Sequence, residues 1–328
     1  MRIQRNRLIY AVLMVATASI LASQPVRASD NYPSQPIRVL LGYTPGGAAD
    51  AVARSITPKL SELLGQPVVV EYKAGAGGAI AADNILRAAP DGYTLHLIDS
   101  GTMAILPNVR KVKYEPLKSF ALIGMAAQGG LALAVNPSIP ANTVPELLKL
   151  LKAKPDYYNY ATSGVGGGGH VAAELLKMET GTKMDHIAYR GGGPAMADLV
   201  GGQIGISMST LAPAIPQIKA GKIKALGVTS LTRAAALPDV PTIAEQGYPG
   251  FEALNWYALV APRDLPAPIA EKLGAALNTA LADAGVQQML AAQGLEPTPG
   301  TPERLVNQIT TDLEKWKKVT ANANITLE

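Results

Sequence analysis

Short apolar runs alternate along this sequence with longer amphipathic stretches, and that alternation restricts the fold more than any other feature. The runs have the length of strands, and the stretches between them repeat apolar residues at helical spacing. Strands and helices in alternation are typical of an α/β protein with largely parallel strands. The predicted strands are residues 37–41, 68–72, 95–98, 131–135, 159–161, 186–189, 204–207 and 225–228. The predicted helices are residues 49–64, 79–88, 144–151, 170–179, 195–200, 214–220, 268–282 and 302–323.

Two long apolar segments interrupt this alternation. Residues 120–135 are apolar with glycine breaks, and residues 251–260 lie between segments rich in proline. Each segment is a candidate crossing between two domains. We predict domain I over residues 29–125 and 255–328 and domain II over residues 126–254, each built on a doubly wound sheet. Two crossings would form a hinge rather than a tether.

The N-terminal segment predicts a cleaved signal peptide over residues 1–28. Residues 1–7 are basic, residues 8–21 are apolar, and small residues precede the cleavage point after Ala28. The four arginines of this segment account for the whole formal charge of +4. The mature chain is therefore neutral.

A neutral chain with 16% charged and 5% aromatic residues lacks the basic, aromatic-rich face that nucleic-acid binding requires. The sequence has no cysteine, which excludes disulfides, thiolate metal sites and a lipidated cysteine. We therefore expect a soluble, monomeric protein of the periplasm that binds no nucleic acid.

Glycine clusters follow five of the predicted strands, at the point where each strand should connect to a helix. Without side chains, backbone N–H groups can approach a ligand closely, and the following helix presents its positive end. Open parallel sheets bind ligands at these carboxyl ends. The sequence thus favours an anion held mainly by backbone N–H groups. The clusters are Gly46-Gly47, Gly75-Ala76-Gly77-Gly78, Ser100-Gly101-Thr102, Gly164 to Gly169, and Gly191-Gly192-Gly193.

Few ionisable or aromatic side chains accompany these loops, and each has two interpretations. Asp50 lies in the first turn of a predicted helix, where it either compensates the helix dipole or orients the preceding loop or a ligand. Arg190 either pairs with a distal ligand carboxylate or is a solvated rim residue. Tyr43 and Tyr189 either wall an apolar ligand body or pack in the core. His170 is expected to cap a helix or to line the cleft.

Enzyme signatures are weak. Gly164 to Gly169 match G-x-G-x-x-G between a strand and a helix, but a glycine run matches that pattern easily. His170 and Glu174 share a helix face and could offer two metal ligands, with no third ligand apparent. No G-x-S-x-G motif is present. We predict a protein that is not an enzyme and has no metal or cofactor.

Several motifs in order resemble one family over essentially the whole mature chain. These segments resemble the Bug-type extracytoplasmic receptors of tripartite tricarboxylate transporters. The matching segments are residues 32–38, Tyr43-Thr44-Pro45-Gly46-Gly47-Ala48-Ala49-Asp50, residues 75–82, Pro90-Asp91-Gly92-Tyr93-Thr94-Leu95, and residues 160–170, 189–199, 221–226 and 237–242.

The resemblance implies a two-domain periplasmic-binding-protein (Venus-flytrap) fold that closes on a small carboxylate. In the family, backbone groups and ordered waters hold one carboxylate near the first loop and the loops of the second domain, and the Ser100 loop would shape the distal pocket. The implied ligand-binding residues are Tyr43, Gly46, Gly47, Ala48, Asp50, Ser100, Gly101, Thr102, Thr162, Ser163, Gly164, Gly167, His170, Tyr189, Gly191 and Pro194.

The sequence and the resemblance together predict a periplasmic receptor that captures a small organic carboxylate, such as a dicarboxylate, tricarboxylate or aromatic acid. The receptor would deliver this ligand to the membrane permease of a tripartite tricarboxylate-type transporter. One alternative is an exported enzyme that acts on small acids or esters. Another is a sensory protein that presents the ligand to a membrane histidine kinase.

Overall fold

The computed structural model describes residues 32–326, and the unit that contains the site begins at Pro33. The predicted signal peptide, residues 1–28, lies outside the described residues. No helix within residues 32–326 is both long and apolar enough to cross a bilayer. The strands are β1 (Ile37–Leu41), β2 (Val68–Tyr72), β3 (Thr94–Asp99), β4 (Phe120–Val135), β5 (Asn159–Thr162), β6 (Asp185–Ala188), β7 (Ile206–Thr210), β8 (Lys224–Val228), β9 (Leu254–Pro262) and β10 (Glu296–Pro297). The helices are α1 (Ala48–Leu64), α2 (Ala79–Ile85), α3 (Leu106–Val109), α4 (Val144–Ala153), α5 (Gly168–Thr180), α6 (Gly192–Val200), α7 (Leu211–Lys219), α8 (Ala267–Ala282), α9 (Ala284–Ala292) and α10 (Pro302–Asn322).

All the predicted strands and helices are present, with end positions that differ by a few residues except at β4, which begins at Phe120 rather than at residue 131. Local chemistry explains several boundaries. Helix α1 ends at Gly65, which adopts a left-handed conformation with φ of +67° that glycine tolerates without strain. Helix α4 begins with a reciprocal cap, in which Thr143 Oγ1 accepts from the Glu146 amide and the Glu146 carboxylate accepts from the Asn142 amide. Helices α3 and α9 and strand β10 were not predicted, and β9 was predicted only as an apolar crossing segment over residues 251–260.

The strands form one hydrogen-bonded path in the order β2-β1-β3-β9-β4-β7-β5-β6, with β8 and β10 both paired to β4. The outer groups, β2-β1-β3 and β7-β5-β6, are parallel as predicted. The central strands β9 and β4 run antiparallel to each other and to their neighbours. The sheet is therefore mixed, with its two parallel groups at opposite ends.

Strand β4 links the two groups because its pairing changes along its length. Residues 120–130 pair with β9, whereas residues 131–135 pair with β7 and β8. We call β1 to β3 with their loops and α1 to α3 the first lobe, and β5 to β8 with α4 to α7 the second lobe. The domain limits predicted near residues 125 and 255 fall inside β4 and β9 and stay a prediction.

Helix α10 is anchored to the centre of the sheet. Trp256 of β9 and Trp316 of α10 are both almost fully buried. Trp256 Nε1 donates a hydrogen bond to the Asp312 carboxylate across a distance of 2.6 Å. The C-terminal helix is therefore fixed to the central strand β9.

Candidate functional site

A cavity of about 690 Å³ opens between loops of the two lobes. The first lobe contributes loops that follow β1 and β2, together with one side chain beyond α3. The second lobe contributes the loops that follow β5 and β6. No Asp or Glu of the described residues lines this cavity. Its lining residues are Gly42, Tyr43, Thr44, Ala74, Gly75, Ala76, Gly77, Ile80, Arg110, Ser163, Gly164, Val165, Ala188, Tyr189 and Arg190.

The loops of the two lobes touch each other directly. Thr44 Oγ1 donates to the carbonyl oxygen of Arg190 at 3.4 Å. A Cβ added to Gly101 would lie 3.2 Å from the Cα of Gly167, so the two backbones are close together. These contacts describe a closed arrangement in which the cavity is bounded by both lobes.

A buried carboxylate organises the first-lobe loops. Asp99, at the end of β3, accepts hydrogen bonds from the Tyr43 hydroxyl (2.9 Å), the Thr102 hydroxyl (2.6 Å) and the Thr102 amide (3.1 Å). Thr102 Oγ1 also lies 3.0 Å from the Gly77 carbonyl oxygen. Burial raises the pKa of Asp99, and burial together with this carboxylate raises the pKa of Tyr43. The Tyr43 ring is thus held as a neutral wall of the cavity.

A second carboxylate, Asp50, holds the loop before α1. Its Oδ2 accepts from the Gly46 amide at 3.0 Å, and its Oδ1 accepts from Tyr72 at 2.7 Å and Arg54 at 2.9 Å. Burial alone would raise the pKa of Asp50, but these three donors outweigh burial and lower the pKa. The loop-orienting interpretation of Asp50 is therefore confirmed. Its contact with a ligand stays a prediction.

Neutral acceptors organise the second-lobe loop after β5. His170 Nδ1 accepts from the Gly166 amide at 3.2 Å, and Thr162 Oγ1 accepts from the Gly164 amide at 3.3 Å. The Thr162 hydroxyl also lies 2.6 Å from His186 Nε2. Burial lowers the pKa of His170 to about 4, and burial together with His170 lowers that of His186 to about 3. Both rings are neutral at pH 7, and this leaves His170 Nδ1 free to accept.

The two histidines belong to a longer stack beneath this loop. The His170 and His186 rings stack with centroids 3.9 Å apart, and His186 stacks on Tyr160 at 5.0 Å. The Tyr160 hydroxyl donates to Glu174 at 2.7 Å, and Lys177 lies 2.8 Å from the same carboxylate. Glu174 thus has a tyrosine and a lysine as partners. No group of His, Cys, Asp and Glu suited to a metal occurs among residues 32–326.

Several of the glycine amides predicted to bind an anion already have partners within their loops. The amide of Gly46 donates to Asp50, that of Gly164 to Thr162 and that of Gly166 to His170. The Gly167 amide makes a longer bond, 3.4 Å, to the carbonyl oxygen of Gly164. These donors are available to a ligand only if the loops rearrange.

Other amides at the cavity remain open. The backbone N–H groups of Thr44, Ser163 and Val165 make no hydrogen bond within residues 32–326, and all three residues line the cavity. The sequence identified loops that line the cavity, but it did not identify which amides the folded loops leave free.

The predicted site residues fall into three groups. Tyr43, Ser163, Gly164 and Tyr189 line the cavity, and the Tyr189 hydroxyl donates to Asp198 at 2.6 Å, which raises its pKa to about 12. A second group contacts or supports the loops from behind the cavity surface. That group comprises Ser100, Gly101, Thr102, Thr162, Gly167, His170 and Gly191.

The third group lies around α1 and α6. Gly46, Gly47 and Asp50 line a separate cavity of about 380 Å³ beside α9. Ala48 is buried at the start of α1, and Pro194 is exposed on α6. Binding of a ligand by any of these three groups stays a prediction.

Arg110 was not identified by sequence reasoning. It follows the short helix α3 and has no glycine cluster or motif beside it, so only the folded chain brings it to the cavity. Arg190 was singled out, and it is both an exposed residue and part of the lining. The exposed position agrees with a rim residue, and pairing of Arg190 with a ligand carboxylate stays a prediction.

Comparison with known proteins identifies the family. Residues 52–325 match the model described as "Tripartite tricarboxylate transporter family receptor". Protein BugT of Bordetella pertussis is 35% identical over 312 residues, which cover 94% of each chain. Among solved structures, the periplasmic binding protein BugD has 34% identity and a TM-score of 0.85 over 90% of this chain and all of its own. R. palustris Rpa4515, solved with adipate, has 30% identity and a TM-score of 0.87 over 90% of this chain and 99% of its own.

These matches confirm the predicted fold class, the two-domain periplasmic-binding-protein architecture. They also confirm that the chain belongs to a class of receptors and not of enzymes. The two lobes with a cavity between their loops are the expected arrangement for such a receptor. The chain is a member of the family of receptors of tripartite tricarboxylate transporters.

Proposed function

We propose that this protein is a periplasmic receptor that captures a small organic carboxylate in the 690 Å³ cavity and delivers it to a tripartite tricarboxylate-type permease. The observation that carries the proposal is the cavity itself, which is bounded by both lobes and lined by two arginines with no carboxylate side chain. Such a cavity attracts anions, and binding energy from both lobes favours the closed arrangement.

The donors around the cavity are suited to one carboxylate group. Open amides, among them those of Thr44, Ser163 and Val165, lie on loops of both lobes. Charge-assisted hydrogen bonds contribute roughly 1.5 to 3 kcal/mol each. Three such bonds therefore offset a large part of the association cost, roughly 4 to 15 kcal/mol. The adipate bound by Rpa4515 agrees with this ligand class.

The test is a thermal-shift screen of residues 29–328 against a panel of carboxylates, each paired with its neutral amide. A carboxylate at about 100 times its Kd should add roughly 2.7 kcal/mol of stability, while the amide should add little. Small-angle scattering of the same samples reports lobe closure. The proposal fails if no carboxylate raises the melting temperature, or if amides raise it equally.

A further inference from the structure

We propose that Arg110 binds a second anionic group of the ligand, so that this receptor selects dicarboxylates over monocarboxylates. This inference rests on the proposed function and assigns a ligand class to the same cavity. Arg110 is therefore proposed as a residue that determines specificity.

Arg110 occupies the cavity without an acidic partner. It lies at the C-terminal end of α3, is partly exposed, and lines both the 690 Å³ cavity and an adjoining one of about 160 Å³. Its guanidinium makes no ion pair or hydrogen bond within residues 32–326. Asp83, the acidic residue of the adjoining cavity, is 3.1 Å from Lys113 and 3.9 Å from Arg87. The guanidinium thus retains its full capacity to bind an anion.

Two other basic residues near the loops already have acidic partners. Arg54 is bound to Asp50 at 2.9 Å, and Lys113 is bound to Asp83. Arg190 also lines the ligand cavity, but it is exposed on the second lobe, where solvent screens its charge more strongly. Lys111 lines only the adjoining cavity. Arg110 is the first-lobe arginine that combines a place in the ligand cavity with an unpaired guanidinium.

The chemistry of the guanidinium explains why a second anionic group would bind at this residue. The amides of Gly46, Gly164, Gly166 and Gly167 are already bound inside their own loops. A carboxylate that leaves water needs hydrogen-bonding or charged partners, because desolvation without them is costly. A guanidinium supplies two parallel N–H donors in the geometry that a carboxylate accepts.

The remaining lining suits the carbon chain between two such groups. Ile80 and Val165 contribute apolar surface, and the rings of Tyr43 and Tyr189 have their hydroxyl groups occupied by Asp99 and Asp198. A volume of about 690 Å³ is in the range of ordinary small-molecule sites, about 300 to 1,000 Å³. The cavity therefore has room for a linear molecule with an anionic group at each end.

The experiment is calorimetric titration of residues 29–328 with succinate, adipate and suberate, each compared with its monomethyl ester. The ester keeps one carboxylate and removes the charge of the other. Wild-type protein should bind at least one diacid about 10- to 100-fold more tightly than its ester, since one bidentate charged contact has roughly that value. The Arg110→Ala variant should lose this preference by weakening diacid binding while leaving ester binding within about threefold.

Two further variants separate the local contact from general charge effects. Lys111→Ala removes the same charge from the neighbouring residue, and it should leave both affinities within about threefold because exposed charges are screened. Arg110→Lys should restore part of the diacid preference, since an ammonium keeps the charge and loses the bidentate geometry. Melting temperatures without ligand should be the same for Arg110→Ala and Lys111→Ala.

Several outcomes overturn the inference. It fails if esters bind wild-type protein as tightly as diacids, or if Arg110→Ala weakens both equally or neither. In those cases carboxylate binding persists and the proposed function stands. If no diacid or ester binds the wild type, the inference fails as well, and the carboxylate screen described above then decides whether the proposed function fails with it.

Discussion

The loops of the two lobes look alike in sequence, but different chemistry holds them in the folded protein. In the first lobe, the carboxylates of Asp50 and Asp99 accept from Gly46, Tyr43 and Thr102. In the second lobe, neutral acceptors perform the same task. His170 Nδ1 and Thr162 Oγ1 accept from the amides of the glycine run after β5.

This difference shows that either a carboxylate or a neutral acceptor can hold a glycine loop in place. In the first lobe, the charge of Asp50 is balanced by its ion pair with Arg54. Asp99 has no such ion pair among the described residues, and its burial raises its pKa. The second lobe avoids charge by keeping His170 and His186 neutral through burial. We therefore expect the first lobe to lose stability when a supporting carboxylate is removed by substitution. We expect the second lobe to lose stability when the pH falls and its histidines become protonated.

The largest effect is expected from removal of the first-lobe support at Asp99. The Asp99→Ala variant would remove the acceptor of the buried Thr102 amide and would leave the hydroxyls of Tyr43 and Thr102 to share the carbonyl oxygen of Gly77. We expect a loss of about 2 to 4 kcal/mol in the free energy of unfolding, measured by urea denaturation. The control is Asp185→Ala, which removes an exposed carboxylate of β6 and should change stability by less than about 0.5 kcal/mol. Equal losses would show that Asp99 is not a support.

The next effect concerns the contact between the lobes at Gly191. Its φ of +147° disfavours other residues, and a Cβ there would collide with the Thr44 side chain of the first lobe. Gly191→Ala should therefore oppose closure and weaken carboxylate binding by about 10- to 100-fold, measured by calorimetric titration.

The matched control for closure is Gly181→Ala. Gly181 also has a positive φ, +64°, but nothing lies within 4 Å of a Cβ added there. This variant should lose roughly 1 to 2 kcal/mol of stability from local strain and keep its affinity. If both variants bind equally well, the contact of Gly191 with Thr44 does not matter for closure.

A smaller effect should appear as pH dependence in the second lobe. The pKa of buried His170 is lowered from 6.5 to about 4, so the unfolded chain takes up a proton before the folded one does. The stability that neutral His170 provides is therefore present above pH 6.5 and is lost as the pH falls from 6.5 toward 4. His96 and His186, with pKa values of about 4 and about 3, act in the same direction.

The variant His170→Asn tests this dependence because its side-chain oxygen can still accept from Gly166 without titrating. Wild-type protein should lose about 1 to 2 kcal/mol more than this variant between pH 7.5 and pH 5, measured as the free energy of unfolding in urea. His170→Leu, which has no acceptor, should be less stable than His170→Asn at pH 7.5. Parallel pH profiles for wild type and His170→Asn would contradict the assignment.

The smallest change in the free energy of unfolding is expected at the first-lobe residue Asp50. The Asp50→Asn variant keeps an oxygen that accepts from the Gly46 amide, but it loses the negative charge that pairs with Arg54. We expect a loss of about 1 kcal/mol or less, because the Arg54 side chain is 67% exposed and solvent screens the pair. Arg54→Ala should have a smaller effect than Asp50→Ala, in urea denaturation at pH 7.5. A larger effect of Arg54→Ala would mean that the ion pair, rather than the loop contact, holds Asp50.

Much of the fold could be predicted because local patterns produce it. Strands β1 and β2 have the predicted bounds, since each is an apolar run between polar or turn residues. The antiparallel direction of β9 could not be predicted, because alternation of side chains is the same in parallel and antiparallel strands. Helix α9 lies close behind α8, and its apolar residues gave no separate signal.

The loops of the candidate site could be predicted from the sequence, but the individual side chains and amides that line the cavity could be predicted only in part. Tyr43 and Tyr189 were expected beside glycine loops, and both line the cavity. Arg110 was missed because it lies far along the chain from those loops, and nothing in the local sequence indicates that folding brings it to the cavity. The engagement of the Gly166 amide was missed because it depends on where the His170 ring is placed by its neighbours.

The sequence by itself determined the α/β class, loops that line the cavity, the neutral formal charge of residues 29–328 and the family. These properties follow from local periodicity, glycine placement and composition, which do not depend on long-range packing. Only the tertiary structure decided which amides remain open, which carboxylates and histidines support the loops, and that Arg110 lines the cavity. Those properties depend on burial and on contacts between distant residues, such as Tyr43 with Asp99 and His170 with His186, and both arise only when the chain folds.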